Sequence, residues 1–219
     1  LRAEERATRY LNQQLIVNQF ALSLGQLTAL DDIYKEIFEQ VSSVMPVEAF
    51  IITFYDEATR MIRAGYAYAH GQILEVSTLP DVPLAEQGKG VQSRVIRSLQ
   101  PVYVADKSEV IKSSQTQHII YEDGSVSDKV MAGNGEHVPH SHLLVPMIHG
   151  GKPMGVLQLQ CEMRDAYSQA DIDLMAGLAN MAAIAIQNAR LLQRTREQAR
   201  QVDQIVNSVP DGVLLLDAN

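Results

Sequence analysis

Three histidines, His137, His140 and His142, fall within the stretch GNGEHVPHSHLLVPM, and a fourth, His149, follows shortly after it. The chain has only six histidines, so most of them crowd into this segment. Imidazole is the commonest transition-metal ligand, and three in an H-x-x-H-x-H array could form an open zinc or iron site. Against that, the spacing matches no compact metal motif. Pro139 stiffens the chain between His137 and His140, and Glu136 is the only adjacent carboxylate. The reading favoured here is a solvated loop that carries His137 and His140, with His142 alone facing a pocket. The metal site is the sharper alternative. The single cysteine, Cys161, is the other candidate for chemistry. It lies in the alternating run VLQLQCEM, where a small packed side chain is expected rather than a nucleophile. The sequence holds no G-x-S-x-G elbow, P-loop, CxxC pair or H-E-x-x-H. Gly88–Lys89–Gly90 reads as a helix start rather than a phosphate cradle. The segment is therefore expected to be non-catalytic.

The elements that must position these residues follow from periodicity. Residues 1–27 read as a helix, with Thr8, Leu11, Leu15, Asn18, Leu22 and Gly25 spaced three and four apart on one face. Asp31 or Asp32 is expected to cap a second helix with an inner stripe of Ile33, Ile37, Val41 and Val44, stopped by Pro46. EAFIITFYDEAT and RMIRAGYAYAHG then read as an antiparallel hairpin, and QILEVSTLP as a third strand. GKGVQSRVIRSLQ is a short helix with Val91, Val95, Ile96 and Leu99 inward, and PVYVAD a short strand opening on proline. Residues 106–141 are polar and irregular, with one short helix expected near 113–121; a connection this long is usually functional. Two strands around Gly150–Gly151 give the clearest hairpin signal. The last helix starts at Ser168, capped with Asp171 three residues on, and runs to about Val209. Its expected heptad seam is Leu178, Met181, Ala185, Asn188, Leu192, Thr195, Ala199, Val202, Val206 and Val209. Ile184, Ile186 and Leu191 lie off that seam, so a second face is expected to pack on the sheet.

The chain of 219 residues carries 18 basic and 26 acidic residues, a net charge of −8. That balance disfavours nucleic acid, which needs a concentrated positive surface. No apolar run is long enough for a bilayer, and one cysteine permits no internal disulfide. The chain starts without Met, on helix-like sequence, which suggests a piece of a longer protein. A cytoplasmic location is expected, with any membrane anchor of the parent protein lying outside this segment.

The words SHLLVPMIHGGKPMGVLQLQ and YSQADIDLMAGLANMAAIAIQNARL, in this order, resemble a GAF domain. They contain Val145–Pro146–Met147, a glycine turn, Gly155–Val156–Leu157, Tyr167, Asp171 and the run Ala185 to Ala189. GKGVQSRVIRSLQPVYVAD resembles an earlier GAF segment, and QIVNSVPDGVLLLDAN the opening of a PAS domain. The resemblance implies an α+β fold: a GAF/PAS-like central antiparallel sheet of about six strands, helices packed on one face, and long N- and C-terminal helices. It implies an N-terminal signalling helix over 1–27, a GAF-like sensor over 28–192, a coiled-coil-like linker helix over 193–209, and the start of a PAS-like domain at 210–219. The implied function is sensory: a small ligand bound under the 106–141 loop, relayed through a homodimer of the terminal helices to a downstream output such as a histidine kinase or a diguanylate cyclase.

The expected ligand-binding residues are Tyr66, Tyr103, His118, Tyr121, His142 and Leu144. The expected dimer seam is Leu11, Leu15, Leu22, Leu178, Met181, Leu192 and Val202. Among the ligands of such domains, covalent bilin lacks its cysteine and cyclic nucleotide lacks its N-K…F…D-E pattern, while haem would use His142 or His149. The alternative functions are a dimerisation module without ligand, and a haem or metal sensor.

Overall fold

The structure, a computed structural model, describes residues 2–87, 89–106, 119–120, 126–127 and 140–208. Two helices open the chain, α1 (Arg2–Gly25) and α2 (Leu30–Val44). Strands β1 (Ala49–Asp56), β2 (Met61–Ala69), β3 (Gln72–Ile73) and β4 (Val82–Pro83) follow, then α3 (Val91–Ser98) and β5 (Val102–Val104). A two-residue ladder joins β6 (Ile119–Ile120) to β7 (Val126–Ser127). The hairpin of β8 (Ser141–His149) and β9 (Lys152–Cys161) leads to α4 (Gln169–Ser208). The main sheet is antiparallel in the order β3-β2-β1-β9-β8-β5, with β4 also pairing β2.

Alternation along the strands divides the side chains between two faces. Phe50, Ile52, Tyr66, Leu143, Val145, Met147, Leu157, Leu159 and Cys161 share one core with α1, α2 and α4. Leu144, Val156 and Ile62 join Val95 and Ile96 of α3 on the other. Three helices thus cover one face, as expected, while α3 packs on the opposite one. β8 is buried at every position from Ser141 to Met147 because it has strands on both sides and helices on both faces. Pro146 is tolerated there because β5 pairs only as far as Leu144, so no neighbour on that side needs its N–H.

Several local expectations change. Helix α2 has Ala29 at its N-cap with no side-chain cap, so Asp31 and Asp32 fall in the first turn, where their charge suits the helix dipole. The third strand is only Gln72–Ile73. Leu74 bonds back to Ala67, and the Glu75 carboxylate accepts from Ser77 N–H, which winds Val76–Thr78 into a single 3-10 turn. Ile119–Ile120 is strand, not the end of a helix; the rest of the helix expected near 113–121 lies outside the described residues. The α4 cap stands as expected: Ser168 Oγ donates to the Asp171 carboxylate at 2.7 Å and accepts from Asp171 N–H at 3.4 Å.

Helix α1 packs into the main core. Phe20 and Leu24 are fully or almost fully buried in the main core, with Ile16 and Val17 packed against it. Helices α1 and α2 thus share one core with the sheet. No helix among the described residues is long and apolar enough to cross a membrane.

Candidate functional site

The α3-facing side of the sheet carries a buried polar group set. Thr53 (β1), His142 (β8) and Gln158 (β9) are each less than a tenth exposed. The Thr53 hydroxyl lies 3.3 Å from both Gln92 Oε1 and the Val156 carbonyl, each a possible acceptor. Gln92 Nε2 donates to Gln158 Oε1 at 3.2 Å. His142 pairs with Gln160 and Leu144 with Gln158 across the β8–β9 ladder, so the imidazole is diagonal to the Gln158 amide on one face. Ile62, Leu144, Val156, Val95 and Ile96 wall this set. Towards β2 the floor is made of small side chains, Ala67 and Ala69, backed by Leu74. An apolar surface with a few convergent polar groups is the usual character of a ligand site.

The described residues that flank 107–139 meet beside β5 and β8. Asp106 and His140 face each other at 3.8 Å, and Arg164 Nε lies 3.4 Å from the same Asp106 carboxylate. Ser141 Oγ donates to Ala105 O and accepts from Ala166 N, while His140 N donates to Cys161 O. Most of residues 107–139, including His118, Tyr121 and His137, lie outside the described residues.

The expected pocket residues divide between the faces. His142 and Leu144 lie on the α3 side. Tyr66 and Tyr103 lie on the helical side, because Tyr66 pairs with Ile52 and Tyr103 with Leu143, both of which face α1, α2 and α4. One pocket cannot be lined by both pairs, since the sheet separates them. Tyr66 sits among Tyr34, Phe38 and Phe50, and its buried hydroxyl has no hydrogen-bond partner among the described residues. Tyr103 donates to Asp165 and accepts from Tyr167 N. His149 is exposed beside the hairpin turn, seven residues from His142 and so roughly 23 Å along an extended strand. It cannot share a pocket with His142. Among the described residues no group of three His, Cys, Asp or Glu side chains is placed to hold a metal.

Gln92, Gln158 and Thr53 were not expected from the sequence. The two glutamines look like ordinary surface positions in a helix and an alternating strand. Only the register of β1, β8 and β9 brings them under α3.

Cys161 is fully buried on the helical side, and burial pushes its thiol up to about 11. A thiol so held is neutral at ordinary pH, and the thiolate is the nucleophile. Tyr167 is likewise raised by burial, its hydroxyl donating to Pro46 O at 2.8 Å.

The helical side ends in an exposed apolar stripe. On α4, Ile184, Asn188, Leu191, Thr195, Gln198, Val202 and Ile205 are all exposed and follow steps of four and three. On α1, Leu11, Leu15 and Leu22 are more than half exposed. Of the expected seam on α4, Asn188, Leu192, Thr195, Ala199 and Val202 are exposed. Leu178 is fully buried in the protomer core, whereas Ile184 is 53% and Leu191 50% exposed. Met181 is half-buried, and Leu192 and Val202 are exposed. Met175, Leu178, Ala179, Ala182, Ala183, Ile186 and Ala189 form the face that meets the sheet.

A family model described as the GAF domain matches residues 28–187, well over half of the chain. The chain belongs to the GAF domain family. The GAF domain is a regulatory and sensory fold found in signalling proteins. Similar solved structures include the GAF domain of a phosphoenolpyruvate-protein phosphotransferase from Acinetobacter, at TM-score 0.62 and 19% identity, covering 82% of this chain and 95% of that one. The corresponding domain from Coxiella burnetii aligns at TM-score 0.63 and 17% identity over 84% and 98%. A free methionine-R-sulfoxide reductase from Neisseria meningitidis aligns at TM-score 0.55 and 14% identity over 82% and 91%. At these identities the likeness is one of GAF fold. No curated protein sequence matches the chain.

Proposed function

We propose that this GAF domain is a non-catalytic sensory module of a multidomain signalling protein. A small ligand binds on the α3 side of the sheet beneath residues 106–141, and the terminal helices carry the change to a downstream output such as a histidine kinase. The observation that supports this reading is the division of labour between the faces. One holds Thr53, Gln92, His142 and Gln158 over an apolar floor. The other holds the helices whose exposed stripe leads out of the domain.

In this reading two copies pair through the stripes of α1 and α4, with Asn18 and Asn188 as polar positions that set register at some cost in stability. The PAS-like residues 210–219 lie outside the described residues, and a PAS domain following them is part of the proposal. So is a cytoplasmic location for the segment. Sulfoxide reduction, the activity named for one similar structure, needs a reactive thiolate. Cys161 faces the helices and is held neutral, so that chemistry is not carried over.

One observation favours a second reading, a dimerisation module without ligand: Gln92 already bonds to both Gln158 and Thr53 within the protein. A thermal-shift screen of nucleotides, haem, bilins, aromatics and metals separates the two, since a ligand that binds only the native state raises its stability. A hit supports the sensor, and silence across the panel supports the dimerisation module. A visible spectrum of untagged protein tests the haem variant through His142.

A further inference from the structure

Thr53 and Phe54 are consecutive in β1 and so point to opposite faces. Thr53 enters the α3-side set through Gln92. Phe54 enters the helical side, where Arg190 of α4 lies with its guanidinium carbon 3.8 Å from the ring centroid. Such a cation–π contact is strengthened when partly removed from water. The Phe54 ring rests on the bare backbone of Gly65, where a Cβ would come within 2.2 Å of Phe54 Cε2. Gly65 is also the extra residue of a β-bulge: Ile52 pairs with Tyr66 but Thr53 with Ala64. Bulges re-aim side chains and loosen the ladder locally. Below the step, Gly155 brings β9 so close that a Cβ there would sit 1.9 Å from the Thr53 carbonyl. Burial raises the pKa of the Tyr34 hydroxyl of α2, and the Arg190 charge partly offsets that rise. Its position on α4 is pivotal: Ala189 is buried, and residues 191–205 are exposed throughout.

We infer that the Thr53–Phe54 step at the Gly65 bulge couples the α3-side polar set to α4, and that Arg190 is the positioning residue that receives it. A shift of Gln92 or Gln158 draws on Thr53, turns Phe54 about the bulge, and moves the cation seated on its ring. Arg190 is where α4 leaves the body, so the movement sets the direction and fraying of the exposed half of the helix. The inference rests on the proposed relay through the terminal helices, and goes further by naming its path.

The test uses the protein without ligand, so it fails or succeeds independently of the ligand screen. Thr53→Val removes the hydroxyl at nearly constant shape. Hydrogen exchange of the amides in residues 191–205 is compared with and without this change in wild type, Arg190→Ala, Arg190→Lys and Phe54→Leu. The expected result is a change in exchange of about threefold or more in wild type. It should persist in Arg190→Lys, which keeps a cation over the ring, and vanish in Arg190→Ala and Phe54→Leu. An effect of equal size in all backgrounds overturns the inference, as does no effect in wild type. A purely structural Arg190 would lower the melting temperature without this background dependence.

Discussion

Replacing Gly155 by alanine tests the tightest contact in the sheet. A Cβ on Gly155 would lie 1.9 Å from the Thr53 carbonyl oxygen and 2.8 Å from Met147 Cε. An ordinary C···O contact is about 3.3 Å, so the backbones must part by roughly 1.4 Å. Met147 has rotamers that can yield, but the Thr53 carbonyl is main chain. It sits where β1 and β9 pair, next to the Phe54↔Gly155 register. Overpacking of this kind costs about 1–3 kcal/mol, and a weakened ladder bond adds about 1 kcal/mol. The stiffer unfolded chain returns about 0.4–1 kcal/mol. The net loss is about 1–4 kcal/mol, or a fall in Tm of about 2–14 °C for a chain of this size. Gly177 is the matched control. It lies within α4 with nothing within 4 Å of its would-be Cβ, so Gly177→Ala should gain about 0.5–1 kcal/mol from helix propensity. Urea unfolding of both variants reads the two signs directly. A Gly155→Ala protein as stable as wild type, or a Gly177→Ala protein less stable than it, refutes the packing argument.

On the proposed pairing of α1 and α4, Leu191→Glu should give a monomer in light scattering where wild type is a dimer, with little change in protomer stability, because that side chain is half exposed in the protomer. Leu178→Ala should instead cost about 2–5 kcal/mol in unfolding while leaving the association of the folded protein unchanged. Cys161 should react with a thiol reagent at pH 8 at least about a hundredfold more slowly in the native than in the unfolded state. Its thiol is pushed from 9.0 to about 11, which cuts the thiolate fraction from about one in ten to about one in a thousand before burial is counted. Asp56 accepts from the backbone N–H groups of Thr59 and Ala58, which hold its carboxyl below the usual value of 3.8. A depressed carboxyl stabilises above its unfolded pKa and loses that contribution as pH falls through the folded one. Asp56→Asn should therefore flatten part of the stability loss seen below about pH 4.

The strand-and-helix order was legible because period-2 and period-3.6 patterns survive in single sequences. The hairpin at Gly150–Gly151 and the Ser168–Asp171 cap were read from local chemistry, and both glycines do adopt positive φ. Which face of α4 is buried was not legible because the helix carries two apolar faces; Leu178 and Ile184 are equally apolar, and only packing in the main core decides that Leu178 is the buried one. Tyr66 and Tyr103 were grouped with His142 because aromatic character alone does not reveal which side of a strand faces which layer. Gln92 and Gln158 escaped notice for a related reason. Their meeting depends on the β1–β9–β8 register and on α3 crossing that face, contacts far apart in sequence.

The most direct test of the sensory account is a thermal-shift comparison of wild type with Gln158→Leu across the ligand panel. The account predicts that at least one ligand class raises the wild-type Tm in a concentration-dependent way. At a hundredfold excess over Kd the gain is about 2.7 kcal/mol, and it should be lost or greatly reduced in Gln158→Leu. A panel that leaves wild type unmoved, or a shift that Gln158→Leu retains in full, contradicts the assignment of the α3 side of the sheet as the sensing face.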